Sequence, residues 1–172
     1  MPARAPVLLT LIGVSACNPM TTRPPFQPFP TTAEHVIELD VAAATRTLAE
    51  ELKADTIPVT IVEPRDGWLS TDWFRPADGT PIEGRPLGEG AVLVRAWIGP
   101  RRAGECKLRV EAVWRPWVDP SLTDRQLERP VPAGHPVATR VDRVIARLLS
   151  RYAPPDAEPA AAPPSTPPST PD

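Results

Sequence analysis

The sequence predicts one α+β domain over residues 34–152, with a largely antiparallel sheet and two helices on one face. Three observations carry this. The chain has 172 residues and 26 prolines, and these are uneven: seven fall in residues 1–30, eleven in 31–152 and eight in 153–172. The middle segment alone has an ordinary proline load, and it is long enough for a single core. Within it, apolar alternation and 3.6-residue periodicity succeed each other in the order β-α-β-β-β-β-α. Short turns rich in Gly and Pro join the strands, which suits antiparallel neighbours.

Each element has its own signal. Residues 35–39 (HVIEL) form a short strand candidate. Asp40 can cap a helix from Val41 to about Lys53, with Val41, Ala44, Thr45, Leu48 and Leu52 on one stripe. Pro58 stops it, and residues 59–63 (VTIVE) are strand-like. Pro64-Arg65-Asp66-Gly67 makes a turn into the strand at 68–74 (WLSTDWF). A loop over 75–90 follows. Residues 91–98 (AVLVRAWI) and 105–115 (ECKLRVEAVWR) pair as a hairpin around 99–104. Residues 116–134 form an irregular crossing with one helical turn near Leu122. The last helix runs from Pro136, which suits a first turn, to about Tyr152. Val137, Val141, Val144, Ile145, Leu148 and Tyr152 make its apolar stripe.

The amino terminus reads as an address. Residues 7–16 (VLLTLIGVSA) carry no charge. As a helix they span about 15 Å, roughly half a bilayer core. That is too short to cross and suits the apolar region of a signal peptide, with Arg4 as the positive flank. The run ends in Val14-Ser15-Ala16-Cys17, which resembles the lipobox of bacterial lipoproteins. The resemblance implies a signal peptide over 1–16, diacylglyceryl transfer to the Cys17 thiol and cleavage before it. Two or three acyl chains would then anchor the protein stably. Asn18, where enteric lipoproteins retained at the inner membrane carry Asp, favours the outer membrane, facing the periplasm. An ordinary signal peptide and a short buried helix are the competing readings.

From Cys17 to residue 33 the prolines predict a tether with neither helix nor central strand. Phe26 and Phe29 either dock on the domain, touch the bilayer interface or lie in plain linker. Residues 153–172 hold no hydrophobic side chain larger than Ala and read as a disordered, proline-rich tail.

The element order and the stretch Glu63-Pro64-Arg65-Asp66-Gly67-Trp68-Leu69-Ser70-Thr71-Asp72-Trp73 resemble the helix-grip domains of BamC/NlpB-type outer-membrane lipoproteins. There a turn ending in Gly leads into an alternating strand with Thr and Trp. The resemblance covers about residues 34–152 and implies a role in outer-membrane biogenesis with an envelope protein as partner. This chain has one such domain where that pattern has two.

Composition and spacing restrict the chemistry. A net charge of −2 argues against a nucleic-acid partner. The two cysteines cannot staple a disulfide scaffold. His35 and His135 lack the spacing of a zinc site. Ser70, Thr71 and Asp72 cannot converge on one side of a strand, and Gly84-Arg85-Pro86-Leu87-Gly88 lacks the lysine of a phosphate loop. No catalytic residue, metal or cofactor is expected, and Cys106 reads as a core residue.

Two surfaces stand out. Alternation puts Trp68, Asp72 and Phe74 on one track, Leu93, Arg95 and Trp97 on another, and Lys107, Arg109, Glu111, Val113 and Arg115 on a third. Joined on the outer sheet face, these show tryptophan among arginine. That is either a partner surface or arginine stems shielding aromatic rings. On the last helix, Arg140, Arg143, Arg147 and Arg151 recur at helical spacing, as a solvated face or a contact for anionic lipid or an acidic partner. The expected function is a non-catalytic, lipid-anchored interaction or assembly module. A small-molecule or lipid binder is the alternative, favoured by a cavity between sheet and last helix.

Overall fold

The structure, a computed structural model, describes residues 21–84 and 86–155. The signal peptide, Cys17 and most of the tail lie outside the described residues. The elements run β1 (Glu34–Ile37), α1 (Val41–Ala54), β2 (Val59–Glu63), β3 (Trp68–Thr71), β4 (Leu93–Arg102), β5 (Glu105–Trp114), α2 (Asp124–Leu127), β6 (Arg129–Pro130) and α3 (Pro136–Tyr152). This is one α+β domain on an open antiparallel sheet ordered β1-β5-β4-β3-β2, with β6 also on β5. β1 takes Cys106–Arg109 of β5 and β6 takes Val113 and Trp114, on the edge away from β4.

Both main helices begin on a side-chain cap. Asp40 accepts from the Ala43 N–H at 2.8 Å, filling one of the orphan donors of α1. His135 Nδ1 accepts from the Val137 N–H at 3.2 Å, with Pro136 at the first position of α3. Helix α1 closes with Thr56 in the left-handed region, at φ 63°, and Ile57 N–H bonded back to Leu52 O.

The helices lay their stripes on one face of the sheet. Leu48 and Leu52 of α1 and Val141, Val144 and Leu148 of α3 meet Leu69, Val94, Ile98, Cys106 and Leu108 in one buried cluster. Each fully buried Leu or Val contributes about 1.5–3 kcal/mol of transfer free energy. Cys106 belongs to this face, and burial first, then the Asp40 charge, pushes its thiol up to about 11. It is an inert packing group.

Gly67 sets how closely the β2–β3 turn meets β4. Its φ is +61°, and an added Cβ would stand 2.0 Å from Ile98 O. Only glycine fits there.

Three expectations need correction. Phe74 does not share the outer face with Trp68. Strand β3 ends at Thr71, the chain changes parity at Asp72, and Trp73 turns outward while Phe74 drops fully buried into the helix-covered core. The β4–β5 hairpin is longer than alternation suggests: β4 continues through Pro100 to Arg102 with a bulge, leaving Ala103-Gly104 as the turn. The crossing after β5 holds α2 and the two-residue β6 rather than irregular chain alone.

Candidate functional site

The outer sheet face carries the residues that the sequence marks as a partner surface. Trp68 on β3, Arg95 and Trp97 on β4 and Arg109 on β5 do lie there. Trp97 stands directly opposite Arg109 and Trp68 in the register, and its ring meets Trp68 edge-on at 5.0 Å. Yet Trp68 and Trp97 are each only 6% exposed and Arg95 only 5%. The cover comes from the chain itself.

Residues 22–32, read from the sequence as part of a tether whose Phe26 and Phe29 either dock, touch the bilayer or lie in plain linker, lie across this face. Thr22 donates its N–H and its hydroxyl to Asp66, both at 2.6 Å, and these bonds hold the Asp66 carboxyl below its ordinary range. Arg23 donates to Gly67 O and Ile98 O. Phe26 packs edge-on against Trp97 at 6.0 Å. Prolines explain the docking as well as they explain the absent helix. A chain already restricted in φ loses less entropy on being fixed.

Beneath the segment sits a closed set of four charges. Arg95 bonds Glu111 at 3.0 Å and also Glu128. Arg125 reaches Glu111 at 2.8 Å and Glu128 at 3.2 Å. Two cations face two anions, and three of the four groups are buried. The remaining valences tie down the segment: Phe29 N–H donates to Glu111 at 2.9 Å, and Arg125 donates to Gln27 O at 2.8 Å. Both guanidinium groups stand by the Phe26 ring, Arg95 at 4.8 Å and Arg125 at 4.7 Å, and Phe29 stands 3.9 Å from Arg125. The tryptophans of this face are covered by the segment, and the rings that Arg125 stands over are Phe26 and Phe29 of the segment itself. Sequence reasoning did not single out Glu128 or Arg125. Its available signals were a glutamate within an apolar strand and two phenylalanines in a proline-rich run.

The arginines of α3 are also engaged. Arg147 reaches Glu51 at 2.9 Å and also Asp55, Arg143 reaches Asp55 at 3.0 Å, and Arg151 reaches Glu51 at 2.5 Å. Arg140 donates to Thr56 Oγ1 at 2.9 Å and to Pro76 O. The stripe read as a solvated face, or as a contact for anionic lipid or an acidic partner, stays partly in solvent and braces α3 against α1 and its following turn.

Among the described residues, recesses open beside these covered regions. A groove of about 620 Å³ lies on the uncovered part of the outer face, walled by Ile61, Trp73, Pro81, Ile82 and Leu93. Ile61 is 43% exposed on β2, the terminal strand at the end of the sheet opposite β1. A second recess of about 280 Å³ fills the gap between β1 and β6, floored by Val110, Glu111 and Ala112 and walled by Ala138, Val141 and Ile145 of α3. His35 and Asp142 also line it, and burial pushes the His35 imidazole below its ordinary pKa against the opposing Asp142 charge.

Among the described residues, no cluster of three His, Cys, Asp or Glu side chains is placed to hold a metal, and no helix is long and apolar enough to cross a membrane. Comparison with known proteins finds no family model that matches the chain and no curated protein that matches it.

Proposed function

We propose that the protein is a lipid-anchored envelope module, attached through Cys17 to the outer membrane on its periplasmic side, that works by non-catalytic interaction or assembly with another envelope protein. One observation supports this above others: the groove of about 620 Å³ beside the terminal strand β2, where exposed Ile61 stands with Ile82 and Leu93 among polar Ser70, Asp72 and Glu83. An open strand edge offers a row of main-chain bonds, and an adjoining groove with apolar and polar walls offers side-chain pockets. Together these suit an added partner strand. The partner surface proposed is therefore at β2 and not at Trp97, which the chain covers for itself.

The docked segment bears on the anchor. Thr22 is bonded to Asp66 and is five residues beyond Cys17. At about 3.4 Å per residue, the lipid would sit within about 17 Å of the β2–β3 turn. The tether is short, and the domain would ride close to the headgroups.

The test has two parts on the intact protein. Mass spectrometry is expected to find a mature chain starting at a diacylglyceryl-modified Cys17; an unmodified start overturns the anchor. A photo-crosslinking residue at Ile61 is expected to give a discrete envelope adduct that the same probe at exposed Arg46 does not. Equal labelling from both positions overturns the β2 surface. The alternative, a small-molecule or lipid binder, draws support from the 280 Å³ recess beside α3. A ligand copurifying with the intact protein and displaced by Val141→Trp would favour it.

A further inference from the structure

The recess beside α3 lies at a break in the sheet's hydrogen bonding. Along the edge of β5 away from β4, the β1 register ends with Glu34 opposite Arg109, and the β6 register begins with Pro130 opposite Val113. Beside the break, Val131 N–H donates to Ala112 O at 3.0 Å. In an antiparallel strand one residue's N–H and C=O point to the same side, and successive residues alternate. The Ala112 N–H and the Val110 C=O therefore face the gap along with the bonded Ala112 C=O. Neither of these two groups has a hydrogen-bond partner among the described residues. Val110 is 8% and Ala112 9% exposed, and both line the recess. Main-chain groups so placed are ordinarily paired.

One acceptor and one donor on alternate residues match the two peptide groups that flank a residue on a neighbouring strand. The opening is short, because β1 and β6 close it at both ends. It takes two or three extended residues and not a strand running through. Its volume of about 280 Å³ equals about nine waters, below the usual range for drug-sized ligands. Ala138, Val141 and Ile145 of α3 give it an apolar wall that suits small side chains. Its lining includes two carboxylates, Glu111 and Asp142, and neither Lys nor Arg. Glu111 is already engaged by Arg95, Arg125 and the Phe29 N–H. Asp142 is exposed at the rim. Such a lining favours an ammonium group and disfavours a carboxylate.

We infer that this recess binds the free amino-terminal end of a short extended peptide with small side chains. A peptide N–H donates to Val110 O, a peptide carbonyl accepts from the Ala112 N–H, and the terminal ammonium meets Asp142. The inference rests on the second reading above, a ligand in this recess, and gives that ligand its chemical class. It is independent of the β2 surface.

Calorimetric titration of the full-length protein at constant ionic strength, with trialanine amide as the probe, tests this. The probe should bind the wild type, and acetyl-trialanine amide, which lacks the ammonium, should bind about tenfold more weakly. N-methylation of both internal amides removes the donor to Val110 O and should weaken binding as much. Asp142→Asn, at an exposed helix position, should weaken the free-amine peptide and leave the acetylated one unchanged. Ala138→Trp should fill the recess and abolish binding of both peptides with an unchanged thermal melt. No binding of trialanine amide, equal binding of the methylated peptide, or binding indifferent to both variants overturns the inference. A copurifying ligand displaced by Val141→Trp, from a protein that does not bind trialanine amide, would overturn the peptide class and leave the second reading standing.

Discussion

One face of this sheet is covered and the other partly so, and by opposite chemistry. On one, α1 and α3 press Leu, Ile and Val onto Leu, Val and Ala, and no geometry beyond good packing is required. On the other, a proline-rich segment is held by Arg95, Glu111, Glu128 and Arg125, with Phe26 and Phe29 stacked on the guanidinium groups. The apolar face gains from every group it buries. The charged face gains only if all its members are present, because a buried ion without its partner retains the desolvation cost. Removing one residue should therefore harm the charged face more, even though the apolar face contributes more to folding.

Glu111→Ala should have the largest effect. It strips Arg95 and Arg125 of an acceptor and frees the Phe29 N–H. A loss of about 4 kcal/mol in urea unfolding is expected. Replacing Arg95, Glu111, Arg125 and Glu128 together by apolar residues of similar volume should cost far less than the single change. If the quadruple variant is the less stable, the charged set stabilises in its own right and the contrast fails. Leu148→Ala, on the other face, should cost about 3 kcal/mol by ordinary cavity formation.

Phe26→Ala sharpens the comparison, because it acts on the cover and spares the sheet. Phe26 is half-buried against two arginines and Trp97. About 2 kcal/mol of stability should be lost. The telling readout is local: acrylamide should reach Trp97 and Trp68, while near-native helix content persists. Leu148→Ala should leave those tryptophans protected until the whole domain unfolds.

The sequence made the apolar face legible and left the charged one obscure. Alternation placed Cys106, Leu108, Val110 and Ala112 inward, and helical spacing gave α3 its bounds and its buried stripe. Those signals are local, because each residue's burial follows from its neighbours' period. Phe74 escaped because a parity change at Asp72 leaves no trace in composition. The cover escaped because proline-rich chain has no period to read, and its partners are distant: Arg125 bonds Gln27 across 98 positions and Phe29 bonds Glu111 across 82. The α3 arginines read as a free stripe for the same reason, since their acids lie on α1.

That α1–α3 brace should give the smallest effect, and its pH dependence has a definite sign. Bonding from Arg151, then Arg147, holds Glu51 below its ordinary 4.5 despite some burial. For Asp55, burial works to raise the carboxyl, and the bonds and charges of Arg147 and Arg143 outweigh it, so it too lies below its ordinary 3.8. A carboxylate that is more acidic folded than unfolded stabilises the fold above its unfolded pKa, and that contribution fades as pH falls through the folded value. Glu51→Gln should cost about 0.5 kcal/mol at neutral pH, the usual scale for a partly exposed ion pair. The gap between wild type and variant in urea melts should shrink below about pH 4.5 and close in stronger acid. Salt should narrow it at neutral pH, because these arginines stand half in solvent. The same salt should leave the Glu111→Ala penalty nearly intact, since the Glu111 and Arg95 side chains are almost wholly buried. A brace as salt-resistant as the buried set would mean that covering charge, and not removing its water, is what separates the two regions.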